Sequence, residues 1–156
     1  DNRAAAKRAG AVRGLCGGAR GGAGRVQHGW RATALQHGEH DPKRIIKGWG
    51  KLTIEIAPRG MPILQLVAAA AVSDPEMATL RRALDLARLT RMRRNARTLA
   101  RAGHLRRGTR ASEAADVAWA CSSPELYDLL VVRRCWPITR YARFIVDVMI
   151  AGLLPR

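Results

Sequence analysis

The chain has 156 residues, a length that suits one ordinary domain with a buried core. Its formal charge is +16, and because 24 of its 28 basic residues are Arg, this charge persists at any accessible pH and favours anionic partners. Aromatic residues make up 4 % of the chain, so the core is expected to consist of Leu, Ile, Val and Ala, which favours helices over sheets.

The cysteines and histidines do not form the patterns of a metal site or a disulfide framework. Cys16, Cys121 and Cys135 are widely spaced, and the last two are interpreted as small apolar residues in helix packing. His37 and His40 are three residues apart, but a polar loop is the preferred interpretation. The chain has no HExxH, phosphate loop or nucleophile elbow. Binding is therefore favoured over catalysis, with no catalytic residue, cofactor or metal expected.

Residues 1 to 40 differ in composition from the rest of the chain. Residues 17 to 25 alternate Gly, Ala and Arg without helical or strand periodicity. An Arg-Gly run of this kind can bind RNA, but the preferred interpretation is a basic, disordered tail or the translation of a shifted reading frame. The sequence thus predicts a tail over 1–40 and a helical domain over 41–155.

No targeting or membrane segment is recognised. The longest apolar run, Leu66 to Val72, is far shorter than the roughly 20 residues of a membrane span, and the first residues do not form a signal peptide. The predicted location is the cytoplasm, with no membrane partner.

The first helical signal is Asp41-Pro42, which combines a capping side chain with a proline that the first turn tolerates. The helical spacing continues to Ile56, and Pro58 is predicted to end the helix. A short apolar helix from Ile63 to Val72 is expected to follow. Because it is apolar all round, it is predicted to lie in the centre of the domain.

A third helix is predicted from the capping segment at residues 73–76 to Gly103, about 28 residues or about 42 Å long. Between Arg81 and Arg110 the chain has eleven Arg and one acid, Asp85. A solvated surface is the default interpretation, and weak, salt-sensitive phosphate binding is the alternative. The residues that would bind nucleic acid are Arg81, Arg88, Arg93, Arg94, Arg97 and Arg101.

Three further helices are predicted in the last third of the chain. Ser112 is expected to cap a helix over residues 113–121, and Ser123 to cap one that runs to about Val131. The last helix is predicted from Ile138 to Leu154. Its apolar face is wider than packing within one monomer needs, which indicates a bundle or a subunit contact.

These segments resemble a known family. The strings EAADVAWA at 113–120 and SSPELYDLL at 122–130, followed by Trp136 and Tyr141, are similar to the closing helices of TetR-type transcriptional regulators. The stretch AAA at 69–71 with SDPEMA at 73–78 matches the region before their long helix. The resemblance covers about residues 41–155 and implies an all-helical bundle that binds a small, often apolar effector and forms a homodimer.

The resemblance suggests two sets of binding residues. Effector contacts are predicted at Trp49, Ile56, Ile63, Leu66, Met92, Trp119 and Tyr127. The dimer interface is predicted at Leu126, Leu130, Phe144, Ile145, Val148 and Met149. For each residue, burial in the core of one subunit is the competing interpretation.

The chain departs from the family pattern at two places. The family usually shows Trp, Ser, Pro, Glu, Arg, Tyr at the start of the last helix, whereas this chain reads WPITRY at 136–141 and has lost the serine cap. Residues 1–40 also lack the pattern of the helix-turn-helix unit that binds DNA in this family. DNA binding is thus expected only through a missing N-terminal domain, or non-specifically through the basic tail and the Arg-rich surface.

Overall fold

The computed structural model describes residues 40–156, and these residues form helices without any strand. The predicted tail, with Cys16 and His37, lies outside the described residues apart from His40. The all-α class predicted from the sequence is confirmed. The elements are α1 (Pro42–Ala70), α2 (Pro75–Arg101), α3 (Ala111–Cys121), α4 (Pro124–Tyr127), a π-helix (Asp128–Arg133) and α5 (Ile138–Leu153).

Helix α1 is longer than the sequence suggests. It begins as predicted, with an Asp41 carboxylate oxygen accepting a hydrogen bond from Lys43 N at 2.9 Å. The prediction that Pro58 ends it is wrong, because the helix continues through Pro58 and Pro62 to Ala70. Both prolines lie on the exposed side, where the carbonyl groups that lose an N–H partner can be hydrated.

The predicted central apolar helix is the last part of α1, and its central position is wrong. Ile63 is 54 % exposed, Leu66 37 % and Val72, beyond the helix end, 88 %. Only Val67 is buried in this stretch. The segment packs on one side only, against α2 and α4, and its other apolar residues therefore face solvent.

Helix α2 is confirmed, with 27 residues and Asp74 as its cap. The predicted Ser112 cap of α3 is wrong, because the N-cap is Arg110, whose backbone N donates to Glu113 Oε2 at 2.9 Å. The Arg110 guanidinium also contacts this carboxylate. The backbone bond, followed by the side-chain bond, lowers the pKa of Glu113. Glu113, three residues after the N-cap, therefore accepts from the N-cap backbone N–H, as the glutamate of a capping box does.

The segment after α3 begins as predicted and then changes helix type. Ser123 Oγ accepts a hydrogen bond from Leu126 N at 3.1 Å, which starts α4. The chain is helical through Val131 as predicted, but residues 128–133 form a π-helix. In a π-helix residues five apart are hydrogen-bonded neighbours, and Arg133 Nε donates to Asp128 Oδ2 at 2.6 Å.

Helix α5 supplies five of the fifteen residues of the buried core cluster, more than any other helix, and its predicted range is confirmed to within one residue. Tyr141 is fully buried, donates to the Cys121 carbonyl oxygen at 3.4 Å and meets the Tyr127 ring edge-on at 5.6 Å. At the crossing of α1 and α5, a Cβ on Gly50 would lie 2.5 Å from Val146 Cγ2. The absence of a side chain at residue 50 therefore allows these two helices to approach closely.

Candidate functional site

The predicted effector contacts fall into two groups. Met92 and Tyr127 belong to the buried core, and Trp49 and Trp119 pack against the same core. Ile56 is half-buried on α1. Ile63 and Leu66 lie on the surface, as described above. The structure therefore brings four of the seven residues into one core cluster and leaves two exposed.

The four residues in the core cluster line neither of two clefts in the described part of the chain. A cleft between α1, α2 and α4 has a volume of about 10 Å³, enough for about one water molecule. It is lined by Leu64, Val67, Ala68, Arg81, Leu84, Asp85, Pro124 and Glu125. None of the seven predicted effector contacts lines it. A compound that reached the core would have to displace side chains.

One polar atom in this core lacks a partner. Among the described residues, Trp119 Nε1 is the buried side-chain nitrogen or oxygen that has no hydrogen-bond partner. An unpaired buried donor costs about 1–3 kcal/mol, so such atoms are rare in folded proteins and mark a place where a partner is missing. Trp119 is also one of the seven predicted effector contacts.

A charged side chain forms the wall of the core beside Trp119. The side chain of Arg88 is 12 % exposed, and its guanidinium lies 5.0 Å from the centroid of the Trp119 ring. It donates hydrogen bonds to the Trp119 carbonyl oxygen at 3.2 Å, to Ser122 Oγ at 3.4 Å and to Asp85 Oδ1 at 3.1 Å. Arg88 therefore connects α2 to the end of α3.

The predicted dimer residues also divide by burial. Ile145 and Met149 are in the core of the single chain, and Leu126 and Leu130 are half-buried against it. Phe144 and Val148 are each 37 % exposed. With Ala151 and Gly152, both exposed, they form one stripe at helical spacing along α5. We call these four residues the α5 stripe.

An aromatic group that the sequence analysis did not select extends the α5 stripe at its start. The Trp136 ring meets the Phe144 ring edge-on at 5.7 Å, and the Arg140 guanidinium lies 3.9 Å from the Trp136 ring centroid. Trp136 had appeared only as a family motif residue. Its position directly before the last helix could have identified it as an interface residue, because tryptophan is enriched at protein interfaces.

The six arginines predicted to bind nucleic acid are not equivalent. Arg88 is held in the core wall, and Arg81 contacts Asp85 at 3.8 Å and Glu125 at 3.6 Å. The other four are exposed on the opposite side of α2, and no described acid lies within ion-pair distance of them. These four, Arg93, Arg94, Arg97 and Arg101, are called the α2 arginine surface below.

A second cleft lies where the α2 arginine surface meets the start of α3. Its volume is about 240 Å³, and it is lined by Arg93, Arg97, Ala111 and Ser112. This cleft was not predicted from the sequence, because Ala111 and Ser112 come next to the arginines only through the packing of α3 on α2. The cleft combines two guanidinium groups with a hydroxyl.

The described residues contain no group of three His, Cys, Asp or Glu side chains arranged to hold a metal ion. Of His37 and His40, which were interpreted as part of a polar loop, only His40 is within the described range. No helix in residues 40–156 is both long enough and apolar enough to cross a membrane. No family model, curated protein sequence or solved structure matches this chain.

Proposed function

We propose that residues 41–155 are the effector-binding and dimerisation domain of a TetR-type transcriptional regulator, with operator binding carried by another part of the regulator. The sequence motifs of the closing helices support this proposal, and the all-helical fold is consistent with it. Regulators of this kind meet chromosomal DNA, so the proposal entails a cytoplasmic location. The observation that carries the effector-binding role is the unpaired Trp119 Nε1.

The surroundings of Trp119 define the chemistry of the effector. The indole N–H can donate one hydrogen bond, so the effector needs an acceptor such as a carbonyl oxygen. Met92, Trp49 and Tyr127 belong to or pack on the same core and are apolar or aromatic. The effector is therefore an apolar compound with one acceptor, and it enters by displacing side chains.

Ligand binding can be tested by thermal unfolding. Apolar compounds with and without a carbonyl group are added to the full chain, and those with the acceptor are expected to raise the Tm. Trp119→Phe removes the N–H and is expected to abolish the advantage of the acceptor compounds. Trp136→Phe, which changes a half-buried tryptophan just before α5, is the control and is expected to retain this advantage. Equal shifts for both compound sets in the unaltered protein would contradict the effector role.

The dimerisation role is supported by the α5 stripe. One side of α5 is buried in the single chain, and Phe144 and Val148 remain exposed on another side. Two copies that pack these helices together would remove both side chains from water, at about 25 cal/mol for each Å² of apolar surface buried. The small side chain of Ala151 would let the two helices approach closely, whereas a Cβ on Gly152 would meet Val117 Cγ1 of α3 in the same chain at 3.9 Å.

Dimerisation can be tested by light scattering at micromolar concentration. The unaltered chain is expected to be a dimer, and the double variant Phe144→Glu with Val148→Glu a monomer. The control, Ile54→Glu with Leu84→Glu, adds the same charges at residues that are also 37 % exposed and is expected to remain dimeric. A monomeric unaltered chain would overturn this part of the proposal, and so would a double variant that stays dimeric.

A further inference from the structure

Positive charge is segregated on one part of this domain. Residues 86–112 contain nine arginines and no acid. Some exposed arginines elsewhere have acidic partners, as in the pairs of Arg44 with Asp41 and Arg133 with Asp128. The α2 arginine surface has no such partner among the described residues. Its charges are therefore available to an anion from outside the chain.

The spacing along the helix concentrates these charges further. Arg93, Arg97 and Arg101 are four residues apart, with Arg94 beside them, so four charges lie within about 12 Å of helix, or about one every 4 Å. A nucleic-acid strand carries about one phosphate for each 3.4 Å of duplex axis. Like charges four residues apart destabilise a helix, and an anionic partner would relieve this repulsion.

The cleft beside this surface fits the same chemistry. Arg93 and Arg97 form one wall, and Ser112 contributes a hydroxyl to the other. Guanidinium groups bind phosphate oxygens in a two-pronged geometry, and a serine hydroxyl donates one further bond. A phosphate at this position would contact α2 and α3 together.

We infer that the α2 arginine surface and the adjoining cleft bind the phosphate backbone of a nucleic acid without regard to base sequence. Guanidinium groups that contact phosphates carry no base information, so the binding depends on charge and spacing. A nucleic acid is a better fit than a membrane surface, because the apolar side of α2, with Met92, Ala96 and Leu99, is buried in the core and cannot enter lipid. This inference is independent of the regulator proposal.

The test uses the full chain and a fluorescent DNA duplex of unrelated sequence, with anisotropy measured at several salt concentrations. The triple variant Arg93→Gln, Arg97→Gln, Arg101→Gln is expected to weaken binding by about tenfold or more and to reduce the slope of log Kd against log salt by about 3. The control, Lys47→Gln, Lys51→Gln, Arg59→Gln, loses the same charge from exposed residues of α1 and is expected to change Kd by less than about threefold.

Further measurements test whether the α2 arginine surface, and not misfolding, net charge or lipid binding, accounts for the result. Circular dichroism is expected to show the same helix content and Tm in both triple variants. The triple Arg→Lys variant, which keeps the charge, is expected to keep the salt slope and bind with intermediate affinity. Equal weakening in the α1 control would overturn the inference, because binding would then follow net charge alone. Tighter binding of anionic phosphatidylserine vesicles than of DNA would overturn it as well. Neither result bears on oligomeric state or effector binding.

Discussion

The guanidinium of Arg88 lies 5.0 Å from the ring centroid of Trp119 and donates a hydrogen bond to the carbonyl oxygen of the same residue at 3.2 Å. The two residues are 31 positions apart in the chain. This double contact uses both the charge and the donor geometry of arginine. It holds the end of α3 against α2, next to the indole that lacks a hydrogen-bond partner.

Replacing Arg88 by lysine is expected to destabilise the fold. Lysine keeps the charge, but it cannot reach Asp85, Ser122 and the Trp119 carbonyl oxygen together, so the free energy of unfolding should fall by about 1–2 kcal/mol. Arg94→Lys makes the same chemical change on an exposed arginine and should alter it by less than about 0.5 kcal/mol. Urea denaturation measures both. Equal midpoints for the two variants would contradict the role of Arg88.

Replacing two glycines of α1 by alanine, one at a time, is expected to change the stability of the protein in opposite directions. At Gly50 a Cβ would lie 2.5 Å from Val146 Cγ2, so Gly50→Ala should destabilise the protein by about 1–3 kcal/mol. At Gly48 a Cβ meets nothing within 4 Å, and Gly48→Ala should stabilise it by about 0.5–1 kcal/mol through the helix propensity of alanine. Thermal unfolding distinguishes the two. Gains of similar size at both positions would contradict the close approach of α1 and α5.

Alkaline pH is expected to destabilise the fold through Cys121 and Tyr141. Burial raises the pKa of the Cys121 thiol above 9.0, and burial, followed by the neighbouring Cys121 and Tyr127, raises the pKa of Tyr141. The folded state therefore keeps protons that the unfolded state releases. The contribution of these two groups to the free energy of unfolding should be constant below about pH 8.5 and fall from there upward, more steeply above about pH 10.

Two variants separate these contributions. Cys121→Ala should flatten the decline between about pH 8.5 and 10, while Tyr141→Phe should flatten it only above about pH 10. Urea denaturation across this pH range provides the measurement. Each variant loses some stability at neutral pH, so the slope is the quantity to compare. An unchanged slope in both variants would exclude these two residues as the cause.

The N-terminus of α2 is expected to be capped by Asp74 and not by the adjacent Ser73. Asp74 Oδ1 accepts hydrogen bonds from Glu76 N at 2.9 Å and from Met77 N at 3.3 Å. Asp74→Ala should therefore cost about 1 kcal/mol. Ser73→Ala changes an exposed residue that makes no capping bond and should cost less than about 0.5 kcal/mol. The Tm values of the two variants decide whether the cap is residue 74.

The features that the sequence predicted correctly are local. Asp41, Asp74 and Ser123 cap their helices through hydrogen bonds to residues two or three positions later, so a few letters contain the information. The length of α2 follows from the distance between its cap and Gly103, which has a φ of 72°. The end of α1 and the π-helix were missed because they depend on what packs against each segment.

The arginines of α2 show why the candidate site could be predicted only in part from the sequence. In the sequence, Arg88 and Arg93 belong to one basic run. In the structure, Arg88 meets Trp119 and Ser122 from α3 and its C-cap, whereas Arg93 points away from the core and lines a cleft. Helical periodicity alone places these two residues about 140° apart around the helix axis. Only the position of α3 decides which side becomes core wall and which remains exposed.

The two prolines inside α1 make bending of this helix easier. Before it, Gly50 packs on α5; after it, Gln65 Nε2 donates to the Pro124 carbonyl oxygen at 3.4 Å, next to α2. Because neither proline has an N–H to donate, α1 can bend at Pro58 and Pro62 without breaking a hydrogen bond. The two prolines therefore mark the part of α1 where bending costs the least free energy. The variant Pro58→Ala with Pro62→Ala should restore the missing backbone hydrogen bonds and stiffen α1, detectable as slower amide exchange around residue 60.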